Sequence, residues 1–153
     1  MKTYFIIIRF ESDTQTDEYY FEGYNGKNVK LGGSSKFAKR YSSLSAALKA
    51  YKKLQLAYNT GRPYGYRNSS VSVILCSCGV FGENVCQVAP VTEEDLGDLD
   101  FGQLEELYSD FLTKEQEKDL RAKFKDESID DEDYIELYFN AVYDRLSELD
   151  LLS

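Results

Sequence analysis

The three cysteines are the first side chains to test for chemistry. Cys76 and Cys78 flank one residue, and Cys86 follows across a Gly-rich turn containing Gly79, Gly82 and Asn84. A hairpin there would gather three thiols, with Glu83 as a fourth ligand. Structural zinc sites are usually built from Cys pairs separated by two residues and completed by a further thiolate or imidazole. Neither requirement is met, and the chain has no histidine. The cysteines therefore read as small apolar residues of a buried strand pair, and no metal or cofactor is expected.

The missing histidine also removes the commonest general base near neutral pH and every nucleophile system that depends on one. Carboxylate chemistry remains open. Glu105 and Glu106 would serve as an acid–base pair, but among 27 acids such neighbours arise throughout the chain and none marks a site. Asp100-Phe101-Gly102 spells a kinase tripeptide without the accompanying loops. The stretch from Asp126 to Leu137 lies between two expected helices and carries Asp126, Ser128, Asp130, Glu132 and Asp133, yet as a calcium loop its sixth position is Asp131 instead of Gly and its twelfth is Leu137 instead of Glu. A non-enzymatic protein is the expectation, with a carboxylate enzyme as the catalytic alternative.

Charge distribution carries more information. Residues 1–90 hold 12 basic and 6 acidic side chains, and residues 91–153 hold 6 basic and 21 acidic, giving opposed halves of +6 and −15 within a net charge of −9. Opposed fields steer charged partners. The acidic candidates for partner binding are Glu105, Glu106, Asp110, Asp126, Glu127, Asp130, Asp131, Glu132, Asp133, Glu136, Asp144 and Glu148, with Tyr108, Phe111 or Tyr143 as apolar anchors. Acids three to four residues apart on a helix repeat every ~5–6 Å; their mutual repulsion points to a cationic partner, or else to a merely solvated face.

The alternative candidates bind nucleic acid: Lys36, Lys39 and Arg40 before a helix and Lys49, Lys52 and Lys53 on its outer face, followed by Arg62 and Arg67. Tyr41, Tyr51, Tyr58, Tyr64 and Tyr66 are interleaved with them and would stack on bases. Lysine-rich helix faces also serve solubility, and the acidic half of the same molecule, or of a second copy, is a competing occupant.

The elements that position these residues follow from periodicity. Thr3 to Phe10 reads as a buried strand, and Glu18 to Tyr24 and Lys27 to Leu31 as a hairpin closed by Asn25-Gly26. Gly32 to Ser35 is a loop. Leu44 to Tyr58 reads as a helix capped by Ser43 or Ser45, with Leu44, Ala47, Leu48, Tyr51, Leu54 and Tyr58 on one face. Val71 to Cys76 and Val85 to Val88 complete a β-β-β-α-β-β order. Beyond Pro90 and Thr92 the pattern is helical, with capping boxes at Asp100–Gln103 and Thr113–Gln116 and helices expected near 102–112, 114–125 and 131–150. The last should bury Tyr134, Ile135, Tyr138, Phe139, Val142, Leu146 and Leu149 and expose Asp133, Glu136, Asn140, Asp144 and Glu148. The fold class is α+β: an N-terminal antiparallel sheet with one packed helix, then an acidic helical region, divided near residue 90. With 42% hydrophobic residues the chain can bury a core. Met1 to Phe10 lacks the pattern of a secretory signal, and no run approaches a membrane span, so a cytoplasmic location is expected.

The hairpin at Asn25-Gly26 followed by Lys36-Phe37-Ala38-Lys39-Arg40-Tyr41-Ser42-Ser43-Leu44-Ser45-Ala46-Ala47-Leu48 resembles a sheet-plus-helix module of short phage and mobile-element proteins. The acidic half is similar in character to small phage-encoded inhibitors of host defence, including anti-CRISPR and DNA-mimic antirestriction proteins. What the resemblance implies is a binding inhibitor whose partner is a basic, nucleic-acid-processing defence enzyme. The basic stretch from Lys27 to Arg67 departs from pure DNA mimics.

Overall fold

A near-continuous apolar, aromatic and β-branched run makes Thr3–Glu11 a strand (β1) that buries Tyr4, Ile6, Ile8 and Phe10 on one face. The computed structural model describes residues 2–63, 65–78 and 85–153, and the chain divides into two units, Met1–Val88 and Ala89–Ser153.

In the first unit β1 is the central strand of a five-stranded sheet of order β3-β2-β1-β4-β5. It pairs antiparallel with β2 (Thr16–Asn25), Ile7 facing Tyr20, and with β4 (Ser70–Cys78), Ile7 facing Ile74. β3 (Asn28–Gly32) and β5 (Val85–Ala89) are the edges. Gly26 supplies φ +65° at the β2–β3 turn, and Gly23, at φ +121°, sits in the register shift of that hairpin.

A 3-10 turn at Ser35–Phe37 follows the expected Gly32–Ser35 loop, sharing Ser35 with it, where the run of basic residues begins. The chain is then tied back to the sheet: Lys39 N–H donates to Phe21 O at 2.8 Å, and Tyr4 and Tyr41 exchange two backbone bonds of 2.8 Å. α1 (Leu44–Thr60) starts at Ser43, whose hydroxyl accepts from Ala46 N–H, so Ser43 is the cap of the two candidates. Ala47, Tyr51, Leu54 and Tyr58 are buried, with the Phe10 and Tyr58 rings 5.8 Å apart. The opposite sheet face carries a second cluster, Phe5, Ile74 and Cys76 with Ala38, flanked by Ile7, Tyr20 and Cys78. The cysteines are free, and Cys76 is a core residue. Glu83 and the Gly79–Asn84 turn lie outside the described residues. Among the described residues no three His, Cys, Asp or Glu side chains are gathered to hold a metal ion.

The second unit has four α-helices: α2 (Glu93–Gly97), α3 (Phe101–Tyr108), α4 (Lys114–Phe124) and α5 (Asp131–Glu148). Thr92, Asp100 and Thr113 each close a reciprocal capping box. The helix expected over 102–112 is shorter: it ends at Tyr108, and Ser109–Phe111 tightens into a 3-10 turn whose last carbonyl accepts from Arg145 Nε at 2.8 Å. α5 stops at Glu148 because Asp150 turns left-handed at φ +58°. Leu151 N–H then reaches Leu146 O at 2.9 Å and Asp150 N–H reaches Ser147 O at 3.1 Å, a Schellman closure. Burial on α5 begins about two turns in, at Tyr138, and continues through Val142 and Leu146; Ile135, expected on the core face, is 40% exposed. Among the described residues, no helix is long and apolar enough to cross a membrane.

Candidate interaction surfaces

On α5 the three buried side chains define one side of the helix, and Asp133, Glu136, Asn140 and Asp144 fall on the other at 100° per residue. All twelve acidic candidates are exposed, from Glu105, Glu106 and Asp110 on and after α3 to Asp126, Glu127, Asp130, Asp131, Glu132 and Asp133 at the start of α5 and Glu136, Asp144 and Glu148 along it. They do not all have free hands. Asp130 caps α5, accepting from Asp133 N–H at 2.8 Å. Asp126 accepts from Ser128 Oγ–H at 2.7 Å and Ser128 N–H at 2.9 Å, which holds its carboxyl below the usual carboxylate range. Glu148 pairs with Arg145 at 3.1 Å. Glu136 and Asp144 make no ion pair among the described residues. Of the residues that suggested a calcium loop, Asp126 and Asp130 thus turn their carboxylates to local backbone and hydroxyl donors.

The apolar anchors expected beside these acids need correction. Tyr108 and Phe111 are 1% and 2% exposed, because the short connection between α3 and α4 folds both rings into the core, 5.3 Å apart. Tyr143 is half-buried and stacks on Phe139. In this unit the exposed aromatic side chain is Phe124, at 70% exposure on the last turn of α4.

Phe124 opens a groove of about 480 Å³ that sequence reasoning missed. Phe101 of α3, Phe124 of α4 and Tyr134 and Tyr138 of α5 form its walls. Tyr134 stands 5.8 Å from Phe101 and 5.3 Å from Phe124, and Phe101 stands 5.3 Å from Tyr138, all with strongly inclined ring planes. Glu105, Glu117 and Arg121 line the same groove. Burial, and then the Glu105 carboxylate, push the Tyr134 and Tyr138 phenols up from their ordinary value. The signal lay in Tyr134 and Tyr138, four apart on a helix, but their partners come from α3 and α4, which periodicity alone does not bring together.

In the first unit the basic candidates Lys36, Lys39, Arg40, Lys49, Lys52 and Lys53 are all exposed. Arg40 lies over the Phe5 ring at 4.5 Å and bonds Ser35 O, and Lys53 Nζ lies 4.4 Å from the Tyr24 centroid. Lys39 and Lys49 make no ion pair among the described residues. Leu56, 67% exposed, shares the lysine face of α1. The stacking platform fails for two tyrosines, since Tyr51 and Tyr58 are core residues of α1. Tyr66 is engaged elsewhere: its hydroxyl donates to Asp17 Oδ2 at 3.0 Å and meets the Tyr19 hydroxyl at 2.6 Å. Tyr64 lies outside the described residues. Arg62 is turned onto the carbonyl of Ser69.

Compared with known protein families, curated proteins and solved structures, the chain matches none.

Proposed function

We propose that the protein is a non-enzymatic binding protein whose acidic C-terminal unit occupies, and thereby blocks, a basic nucleic-acid-binding surface of another protein. The observation that carries this reading is the outward display of all twelve candidate acids from one helical unit, with the Glu136 and Asp144 carboxylates, which make no ion pair among the described residues, on the side of α5 opposite its core. Its narrower form, a phage-encoded inhibitor of a host defence nuclease acting in the host cytoplasm, draws its support from resemblance of composition.

Charge density limits what kind of mimic this is. The 18 residues of α5 carry six carboxylates along about 27 Å, or one per about 4.5 Å, whereas duplex DNA carries one per about 1.7 Å. Coulomb attraction at this density steers the encounter, and apolar anchors must supply the rest of the affinity.

The test is capture of partners from a nuclease-treated bacterial lysate, followed by competition with duplex DNA. The expected partner is basic, is displaced by DNA, and binds the Glu136→Gln, Asp144→Asn double variant more weakly and with a shallower salt dependence. Simultaneous binding of DNA and this protein by the partner, or an unchanged salt response, would overturn the reading.

A second reading, nucleic-acid binding by the first unit, is favoured by the exposed lysine face of α1, where Lys49 lacks an ion-pair partner among the described residues.

A further inference from the structure

The groove between α3, α4 and α5 has three features that together select a ligand. Four aromatic rings, with neighbouring pairs inclined at 55° to 79°, wall it. Two carboxylates, Glu105 and Glu117, share its lining. Among the described residues no cation of this unit stands over any of the four rings; the cation–ring contacts present are Lys36 on Phe37, Arg40 on Phe5 and Lys53 on Tyr24. Arg121 lines the groove without occupying that position.

An apolar ligand would find the carboxylates a desolvation burden, and an anionic ligand would be repelled by them. A guanidinium suits both walls at once, since it stacks flat on aromatic faces and presents forked donors to carboxylates. A volume of about 480 Å³ lies within the range of pockets that enclose small ligands, roughly 300–1,000 Å³. It leaves room for one arginine side chain with its flanking backbone.

We propose that this groove is an arginine socket: a guanidinium of the basic partner enters between Phe101, Tyr134, Tyr138 and Phe124 and is neutralised by Glu105 and Glu117. The inference rests on the acidic-surface reading above and gives it an anchor. It also accounts for Phe124, a large aromatic left 70% exposed at the mouth of the groove.

The experiment needs no identified partner. The intact protein is titrated with Nα-acetyl-arginine amide and with its neutral isostere Nα-acetyl-citrulline amide, following backbone amide shifts and tyrosine emission, which no tryptophan obscures. The arginine probe should shift the amides of Phe101, Glu105, Tyr134 and Tyr138 and bind about tenfold more tightly than citrulline. Glu105→Gln and Phe124→Ala, both at exposed positions, should each weaken it about threefold or more. Arg121→Gln should tighten it by removing a like charge. Equal affinity for the two probes would show an apolar slot and overturn the assignment, as would the absence of shifts at the groove. If the shifts follow Asp133, Glu136 and Asp144 in its place, the socket falls and the acidic-surface reading stands. A captured partner indifferent to salt would remove that reading whatever the probes do.

Discussion

Gln116 Nε2 donates to Ala141 O at 3.1 Å, so the residue that closes the cap of α4 also fastens α4 to α5. Its Oε1 meanwhile accepts from Thr113 N–H at 3.0 Å. The two ends of one amide do separate work, and Gln116→Glu separates them. A carboxylate keeps the capping acceptor but loses the donor and faces the Ala141 carbonyl. The expected cost is about 1–2 kcal/mol, whereas Thr113→Ala, which removes a cap alone, should cost about 1 kcal/mol. Denaturant unfolding of the two variants checks the order; an unchanged stability of Gln116→Glu would mean that the bond to Ala141 contributes nothing.

Asp150 closes α5 in the left-handed region at φ +58°, where a Cβ is crowded and a negative charge meets the negative end of the helix dipole. Leu151, 1% exposed, depends on that turn to reach the core. Asp150→Gly should therefore stabilise the protein by about 1 kcal/mol, and Asp150→Asn by less. A thermal melt that falls for Asp150→Gly would show that the aspartate side chain contributes more than its backbone costs.

These two cases mark what the amino-acid order disclosed. Capping boxes at Asp100 and Thr113 are local and legible, because donor, acceptor and spacing all lie within four residues. So was the first hairpin, through Asn25-Gly26, and the buried side of α1. The short helix at Glu93–Gly97 showed only as the start of a helical pattern beyond Thr92, without its length. The end of α5 was misplaced because a left-handed aspartate carries no glycine signal. Tyr108 and Phe111 were misread as surface anchors because the 3-10 turn that folds them inward is fixed by Arg145, 34 residues away from Phe111. The aromatic groove was hidden for the same reason: its walls come from three helices, and only packing brings them together.

Proton linkage predicts a stability loss on the alkaline side. Burial, and then the Glu18 carboxylate, push the Cys76 thiol up from 9.0 to about 12, and burial, followed by Tyr24, pushes the Tyr58 phenol from 10.0 to about 12. Tyr66 is also raised, first by its bond with Tyr19. Each folded value exceeds the unfolded one, so the native state retains protons that the unfolded chain releases. The contribution is fully present below about pH 9 and is lost as pH rises toward about 12. Melting temperatures should hold steady from neutral pH to about 8.5 and then fall, less steeply in Cys76→Ala. Alkylation at pH 8 should modify Cys78 and Cys86 and spare Cys76 until denaturant is added.

The lysine face of α1 gives the sharpest separation of the two functional readings. If Lys49, Lys52 and Lys53 contact phosphates, their combined replacement by Gln should reduce the slope of log affinity against log salt by about 2.7, at roughly 0.9 per neutralised phosphate. Under the acidic-surface reading the same triple variant leaves partner binding unchanged, and the intact protein, at net −9, shows no measurable affinity for duplex DNA at physiological salt. The expected result is the second. Its stability cost should be small, with Lys53, whose ammonium leaves the Tyr24 ring, contributing about 0.5–1 kcal/mol for an exposed contact. A DNA affinity that survives physiological salt and declines in the triple variant would transfer the function to α1 and leave the acidic unit without a binding role.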